Sequence, residues 1–287
     1  MRYLILSDIH SNLTALEAVL AQAGDDYDRV VCLGDIVGYG PDPNQVVDRV
    51  RALDPVAVVR GNHDKAGCGI DDAEDFNPVA RDATVWTREQ LRSENLTYLR
   101  QLDRGPLRVG DFQVVHGSLR DEDEYVFMPP EAQQNLEQAE TALVFCGHTH
   151  FQGGFVLGQD GGIEVLEPSL GSGAASSDLP LEAGAKYLVN PGSIGQPRDG
   201  DARAAFGFYH RVQTVVETYF GEAGRDIVGP GVSLATFGPP LPSAVSRQRS
   251  VINLWLEEAS ERFYEEDSLA TDKQTGSDLL RGSLRLG

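Results

Sequence analysis

One rhythm recurs along the first half of the chain: a short apolar run, a polar turn, then apolar positions at helical spacing. "RYLIL" passes through "SDIHSN" into "LTALEAVLAQA", where Leu13, Leu16, Val19 and Leu20 fall on one helical face. "DRVVCL" passes through "GDIVGYGPD" into "PNQVVDRVRAL", with Pro43 suited to a first helical turn. "PVAVV" runs into the polar loop "RGNHDKAG". Short apolar runs alternating with helices predict parallel strands joined by crossover helices, and the loops at the carboxyl ends of such strands gather on one sheet edge.

Further on, Asn77 as cap and Pro78 in the first turn predict a helix over Val79 to Leu91, with a shorter helix at "ENLTYLRQL". The runs "PLRV", "DFQVVHG", "ALVFCGHTH", "QGGFVLG" and "GIEVLE" read as strands, with a helix at "PPEAQQNLEQA". Residues 168–185 have the small-residue composition of a flexible surface insertion. Strands resume at "KYLVNPGS" and at "AAFGFYHRVQTVVETYF", which reads as two strands meeting near His210. One large domain is therefore expected over residues 1–220. A Gly/Pro-rich link follows at 221–245, an amphipathic helix at 246–266 and a disordered tail at 267–287.

Composition narrows the classes. With 41% hydrophobic residues the 287-residue chain can bury a sizeable core, which excludes disorder throughout. A formal charge of -20 argues against general affinity for nucleic acid backbones or anionic membranes, so an anionic ligand would need a local positive centre. Cys32, Cys68 and Cys146 are scattered, without a Cys-x-x-Cys pair, and fit reduced thiols in a cytoplasm. No leader-like segment and no apolar run of the ~18 residues a membrane span needs is present, so a soluble cytoplasmic protein is expected, its oligomeric state open.

The polar loops carry the chemistry. An isolated His-x-His such as "VFCGHTHF" is ordinarily two solvated imidazoles, but the predicted sheet edge collects four further loops beside it. Together they bring Asp8 and His10, Asp35, Asn62 and His63, His116, and His148 and His150, which is five of the six histidines. Residues two apart on a strand share a face, which would aim Asp8 with His10 and His148 with His150. Imidazole, carboxylate and amide oxygen without thiolate suit a divalent ion of borderline or hard character, manganese or iron first, with zinc, cobalt or nickel as alternatives. So many groups exceed one tetrahedral ion. Two ions about 3.5–4 Å apart would account for them and would outweigh the local carboxylates, leaving an anion trap within an acidic surface.

In their order along the chain, Asp8-x-His10, Gly34-Asp35, Gly61-Asn62-His63-Asp64, His116 and Gly147-His148-x-His150 resemble the calcineurin-like metallophosphoesterases. "NPGS" at 190–193 and "GQPRDG" at 195–200 are similar to the small bacterial branch. The resemblance implies an α/β fold, a four-layer αββα sandwich of two mixed β-sheets flanked by helices. It also implies roles: Asp8, His10 and His150 on one ion, Asn62, His116 and His148 on the other, and Asp35 bridging. His63 matches the histidine near the leaving group, a proton donor. The implied activity is hydrolysis of a small soluble phosphomonoester or phosphodiester by metal-activated hydroxide.

One departure stands out. Protein phosphatases and diadenosine tetraphosphatases carry Gly-Asp-x-x-Asp-Arg-Gly, where this chain has Gly38 and Tyr39 in place of the acid and the arginine. A protein phosphatase or dinucleotide polyphosphate hydrolase is thus the second reading, and a noncatalytic scaffold the third. Asn12 and Arg198 are candidates for substrate contact, with helix capping and a solvated charge as their alternatives. Asp64 is a candidate to orient His63, and Arg60 a candidate for a supporting salt bridge.

Overall fold

In a computed structural model the chain is described over residues 1–167 and 176–211, and as backbone over 231–237. It divides into Met1–Gly238 and Pro239–Gly287, and the second unit, with the expected helix at 246–266 and tail at 267–287, lies outside the described residues.

The predicted alternation is realised. Strand β1 (Arg2–Leu6) leads to helix α1 (Leu13–Ala23), β2 (Arg29–Cys32) to α2 (Pro43–Ala52), and β3 (Ala57–Val58) to a short α3 (Asn62–Gly67). Helices α4 (Pro78–Gln90) and α5 (Ser93–Arg100) follow, and Asn77 caps α4 by accepting from the Ala80 N–H at 2.9 Å. The second half adds β4 (Leu107–Val109), β5 (Phe112–Val114), α6 (Pro129–Gln138), β6 (Leu143–Phe145), β7 (Gln152–Leu157) and β8 (Ile163–Leu166). Then come β9 (Ser176–Pro180), β10 (Lys186–Pro191), β11 (Ala204–His210) and β12 (Gly231–Phe237).

Two six-stranded mixed sheets result, in the orders β3-β2-β1-β11-β12-β9 and β4-β5-β6-β10-β7-β8. In the first, β1, β2 and β3 run parallel; in the second, β5, β6 and β10 do. Strands buried on both faces must be apolar at every position, and the pleat then sends alternate side chains into different cores. Tyr3 and Ile5 of β1 join Phe112, Phe145, Val189 and Tyr209 between the sheets, whereas Leu4 and Leu6 pack with Leu16, Val19, Val46 and Val50 under the helices. On the far side Val144 and Leu188 meet Ala132 and Leu136 of α6. These layers form the expected αββα sandwich.

Three elements depart from the sequence expectations. Asn62–Gly67, read as loop, is helical; a glycine cap and six residues leave no periodicity to detect. Ser176–Pro180, inside the expected insertion at 168–185, is an edge strand, and its Asp178 and Pro180 are residues that edges tolerate and strand propensity disfavours. Gly231–Phe237, inside the expected link at 221–245, pairs between β9 and β11; the glycine and proline around it masked the alternation of Val232 and Leu234. The second strand expected beyond His210 falls on residues outside the described ones.

Phe112 is fully buried where the sheets face each other, with Tyr3, Phe145 and Tyr209 rings 5.1–5.6 Å away. Phe112→Ala should cost about 3–5 kcal/mol in urea unfolding, through lost transfer energy and the cavity left behind. A loss below about 1 kcal/mol would contradict this packing.

Candidate metal centre

The carboxyl ends of the parallel strands of both sheets meet at one edge. Asp8 and His10 follow β1, Asp35 follows β2, Asn62 and His63 open α3 after β3, His116 follows β5, and His148 and His150 follow β6. Backbone bonds tie the turns together: Asp8 N–H to Gly34 O at 3.1 Å, His10 N–H to Asp35 O at 2.9 Å, and Gly147 N–H to His116 O at 2.7 Å. The sixth histidine, His210, pairs with Arg2 elsewhere in the sheet.

Two groups of possible ligand atoms form there. Asp8, His10, Asp35 and His150 make one, and Asp35, His116 and His148 the other, each with its atoms within 4.8 Å of one another and every residue buried. Asp35 belongs to both. Its Oδ1 accepts from the His63 N–H at 2.9 Å. Its Oδ2 is buried without a hydrogen-bond partner, 3.6 Å from His10 Nε2 and 3.4 Å from His116 Nε2.

The hydrogen bonds decide which nitrogens face inward. His10 Nδ1 donates to Val37 O (3.1 Å), His116 Nδ1 to Leu33 O (2.7 Å), His150 Nδ1 to Gln196 O (2.6 Å) and His148 Nε2 to Asp123 O (3.0 Å). A carbonyl only accepts, so each of these nitrogens carries the proton and the opposite one presents a lone pair. His10 Nε2 and His150 Nε2 then point lone pairs at each other across 3.0 Å. That contact is repulsive unless a proton or a cation lies between them. Asn62 Oδ1 and His116 Nε2 are likewise buried without partners. Such a set of unsatisfied acceptors fits divalent ions.

Burial, with lesser charge effects, holds His10, His148 and His150 well below the ordinary imidazole pKa, so they stay neutral donors. For His116, burial is outweighed by the Asp35 and Asp8 carboxylates, which push it up to about 10, so that without a cation in the cluster a second proton on Nε2 takes that place 3.4 Å from Asp35 Oδ2. Asp35 resists the burial that would raise it and stays well below the carboxylate range, because His116, His63 and His10 surround it.

The backbone reason for the spacing differs from strand alternation. Strand β1 has ended at Leu6 and β6 at Phe145. Asp8, His10, Asp35, His148 and His150 instead take left-handed conformations, with φ of 51°, 48°, 50°, 68° and 62°. Each costs on the order of 1–3 kcal/mol for a non-glycine residue and persists where surrounding bonds enforce it. Gly61 is needed for closeness: a Cβ there would stand 2.0 Å from Asp35 Oδ1.

The remaining candidates separate cleanly. His63 lies beside the cluster, its ring 4.6 Å from Tyr39, 4.7 Å from Phe76 and 4.9 Å from His10. Its Nδ1 has no partner, and a Cβ on Gly38 would lie 2.7 Å from that atom. Position 38 thus faces the ring nitrogen an orienting acid would hold, and aromatic packing replaces that acid. Asp64 does not substitute: Oδ1 accepts from Ile36 and Val37 N–H (2.9 and 3.1 Å) and Oδ2 from Gly61 N–H (3.0 Å). Burial and the Asp35 charge push its carboxyl up to about 7, against those three donors.

Asn12 caps α1, accepting from Ala15 N–H at 3.0 Å while donating to Gly195 O at 3.2 Å, the helix-capping alternative for this residue. Arg60 forms a two-pronged pair with Glu122 at 2.8 and 2.9 Å. The three cysteines are buried free thiols. Arg198 is exposed, yet its backbone N–H donates to His150 O at 3.3 Å, its guanidinium donates to Gln196 Oε1 at 2.8 Å, and its charge acts on His150 and His63, so the cation stands beside the site.

Several supporting residues escaped the sequence reading. Ser7 Oγ donates to Asp8 Oδ2 at 2.6 Å. Asn190 donates to Gly147 O (2.7 Å) and Thr149 Oγ1 (2.9 Å), and Ser193 Oγ donates to Asp8 O (2.8 Å). "NPGS" was visible as a motif, and its work is to bind the loop after β6 to the loop after β1.

Comparisons with known proteins agree in kind. The family model for the calcineurin-like phosphoesterase superfamily domain matches residues 1–212. An uncharacterized protein of Methanocaldococcus jannaschii, MJ0912, is 34% identical over 209 residues, 70% of this chain and 79% of that protein. The crystal structure of a metallophosphoesterase from Sphaerobacter thermophilus is similar at 36% identity and TM-score 0.66, over 88% of this chain and 94% of that one.

Asp64→Asn would set an amide NH2 against backbone N–H donors. Urea unfolding should show a loss of at least about 1.5–3 kcal/mol, the scale of one hydrogen bond to a charged acceptor. Unchanged stability would mean that Asp64 does not brace these turns.

Proposed function

The chain belongs to the calcineurin-like phosphoesterase superfamily, and on that footing we propose that it is a dinuclear-metal-dependent phosphoesterase hydrolysing a soluble phosphomonoester or phosphodiester. The observation that carries the reading is Asp35 Oδ2, buried and unpartnered between a nitrogen of each ligand group. Asp8, His10 and His150 would hold one ion, Asn62, His116 and His148 the other, with Asp35 common to both. Imidazole and oxygen donors without thiolate suit manganese or iron. When bound, such a pair lowers the pKa of a water molecule and polarises phosphoryl oxygens.

The chain's own residues supply the rest. Arg198 would pair with a phosphate oxygen, giving from the loop after β10 the cation that Tyr39 cannot give. Burial, partly opposed by Asp35, holds His63 down at about 4, so its ring is neutral near pH 7. With Nδ1 bare against Gly38, a proton there would be a buried donor without an acceptor, which favours the proton on Nε2. That N–H would donate a hydrogen bond to the leaving oxygen as negative charge develops on it, an aid that counts most for poor leaving groups.

With added manganese the protein should hydrolyse bis-p-nitrophenyl phosphate or p-nitrophenyl phosphate, and a chelator should abolish turnover. Asp35→Asn should lose both turnover and bound metal. His63→Gln should keep the metal while kcat for an alkyl ester falls by about 10²- to 10⁴-fold, with a smaller loss for p-nitrophenyl esters. Absence of metal-dependent turnover of both mono- and diesters would overturn the reading.

A further inference from the structure

A row of aromatic rings leads from the metal cluster into solvent. Tyr125 stacks on His148 with ring centroids 3.8 Å apart and planes 21° from parallel. Phe127 lies 5.4 Å beyond, 10° from parallel with Tyr125, and meets Phe151 edge to face at 5.8 Å and 87°. Tyr125, Phe127 and Phe151 are 40%, 44% and 37% exposed, a high toll for three adjacent aromatic side chains in a chain that buries Phe112, Phe145 and Phe206 completely. Phe151 directly follows His150 in sequence.

The row is braced. Glu122 pairs with Arg60, Asp123 with Lys65, and Glu124 with Ser118 and Arg120, while Asp123 O accepts from His148 Nε2. Lys65 on α3 and Arg60 just before it therefore help to hold the segment carrying Tyr125 and Phe127. Arg198, whose backbone N–H lies 3.3 Å from His150 O, adds a cation at the inner end of the row.

From this juxtaposition we propose that Phe127 and Phe151 form the specificity corner for a planar nucleobase, so that the substrate is a nucleotide-type phosphate ester whose phosphate lies toward Arg198 and the metal cluster. The inference rests on the phosphoesterase reading above and deepens it. Charge complementarity assigns the inner end to phosphate. Flat, near-parallel ring faces closed by a perpendicular ring suit a planar π system, and a base gains affinity by stacking irrespective of its identity.

The test is equilibrium titration of the manganese-loaded full chain with two non-hydrolysable methylene phosphonates, one of AMP and one of ribose 5-phosphate, which lacks the base. The adenosine ligand should bind on the order of tenfold more tightly, the scale of one base–aromatic stack. Phe127→Leu/Phe151→Leu should erase that difference and leave the affinity for the ribose ligand unchanged, which also reports a folded site. Equal affinities in the wild type, or a preference that survives the double substitution, would overturn the corner alone. Failure of both ligands to bind, together with absent metal-dependent hydrolysis, would overturn the phosphoesterase reading and the corner with it.

Discussion

Buried acceptors crowd together at one edge of the sandwich, and two of their contacts are left without a hydrogen bond to settle them. His10 Nε2 and His150 Nε2 face each other at 3.0 Å, and Asp35 Oδ2 has no hydrogen-bond donor. In water such atoms would separate. Here each imidazole is fixed from behind by a backbone carbonyl, and Asp35 by the His63 N–H, so the repulsion is built into the folded state. Positive charge relieves it, which couples binding of cations to the stability of this edge.

The sandwich exists, from this viewpoint, to oppose that repulsion. Three apolar layers hold two sheets so that their parallel strands end together. The turns that follow are held in left-handed conformations by bonds between loops, among them those of Asn190 and Ser193 to the loops after β6 and β1. Arg60 with Glu122 and Lys65 with Asp123 extend the same bracing outward to the aromatic row. A rigid scaffold beneath strained loops is the arrangement in which local strain can persist.

Much of this was legible in the sequence because the signals were redundant. Fully apolar strands followed by Asp-x-His, Gly-Asp, Gly-Asn-His-Asp and His-x-His placed each candidate ligand at a strand end, and the fold required those ends to meet. The two-residue spacing has a different physical basis from the pleat alternation that the sequence suggests: Asp8 and His10 both lie beyond β1 in left-handed turns. Backbone φ leaves no trace in hydrophobic period. Asn12 and Arg198 could not be told apart from their neighbours in sequence, because one becomes a cap and the other a cation beside the site only through contacts with residues 195 and 150. Strands β9 and β12 were hidden by glycine, proline and serine, whose low propensity an edge or a paired neighbour overrides.

Anomalous scattering from crystals grown with manganese addresses the central claim most directly. Two peaks about 3.5–4 Å apart should flank Asp35 Oδ2, one among Asp8, His10 and His150 and the other among Asn62, His116 and His148. A single peak out of reach of Asp35, or none within this cluster, would contradict the account.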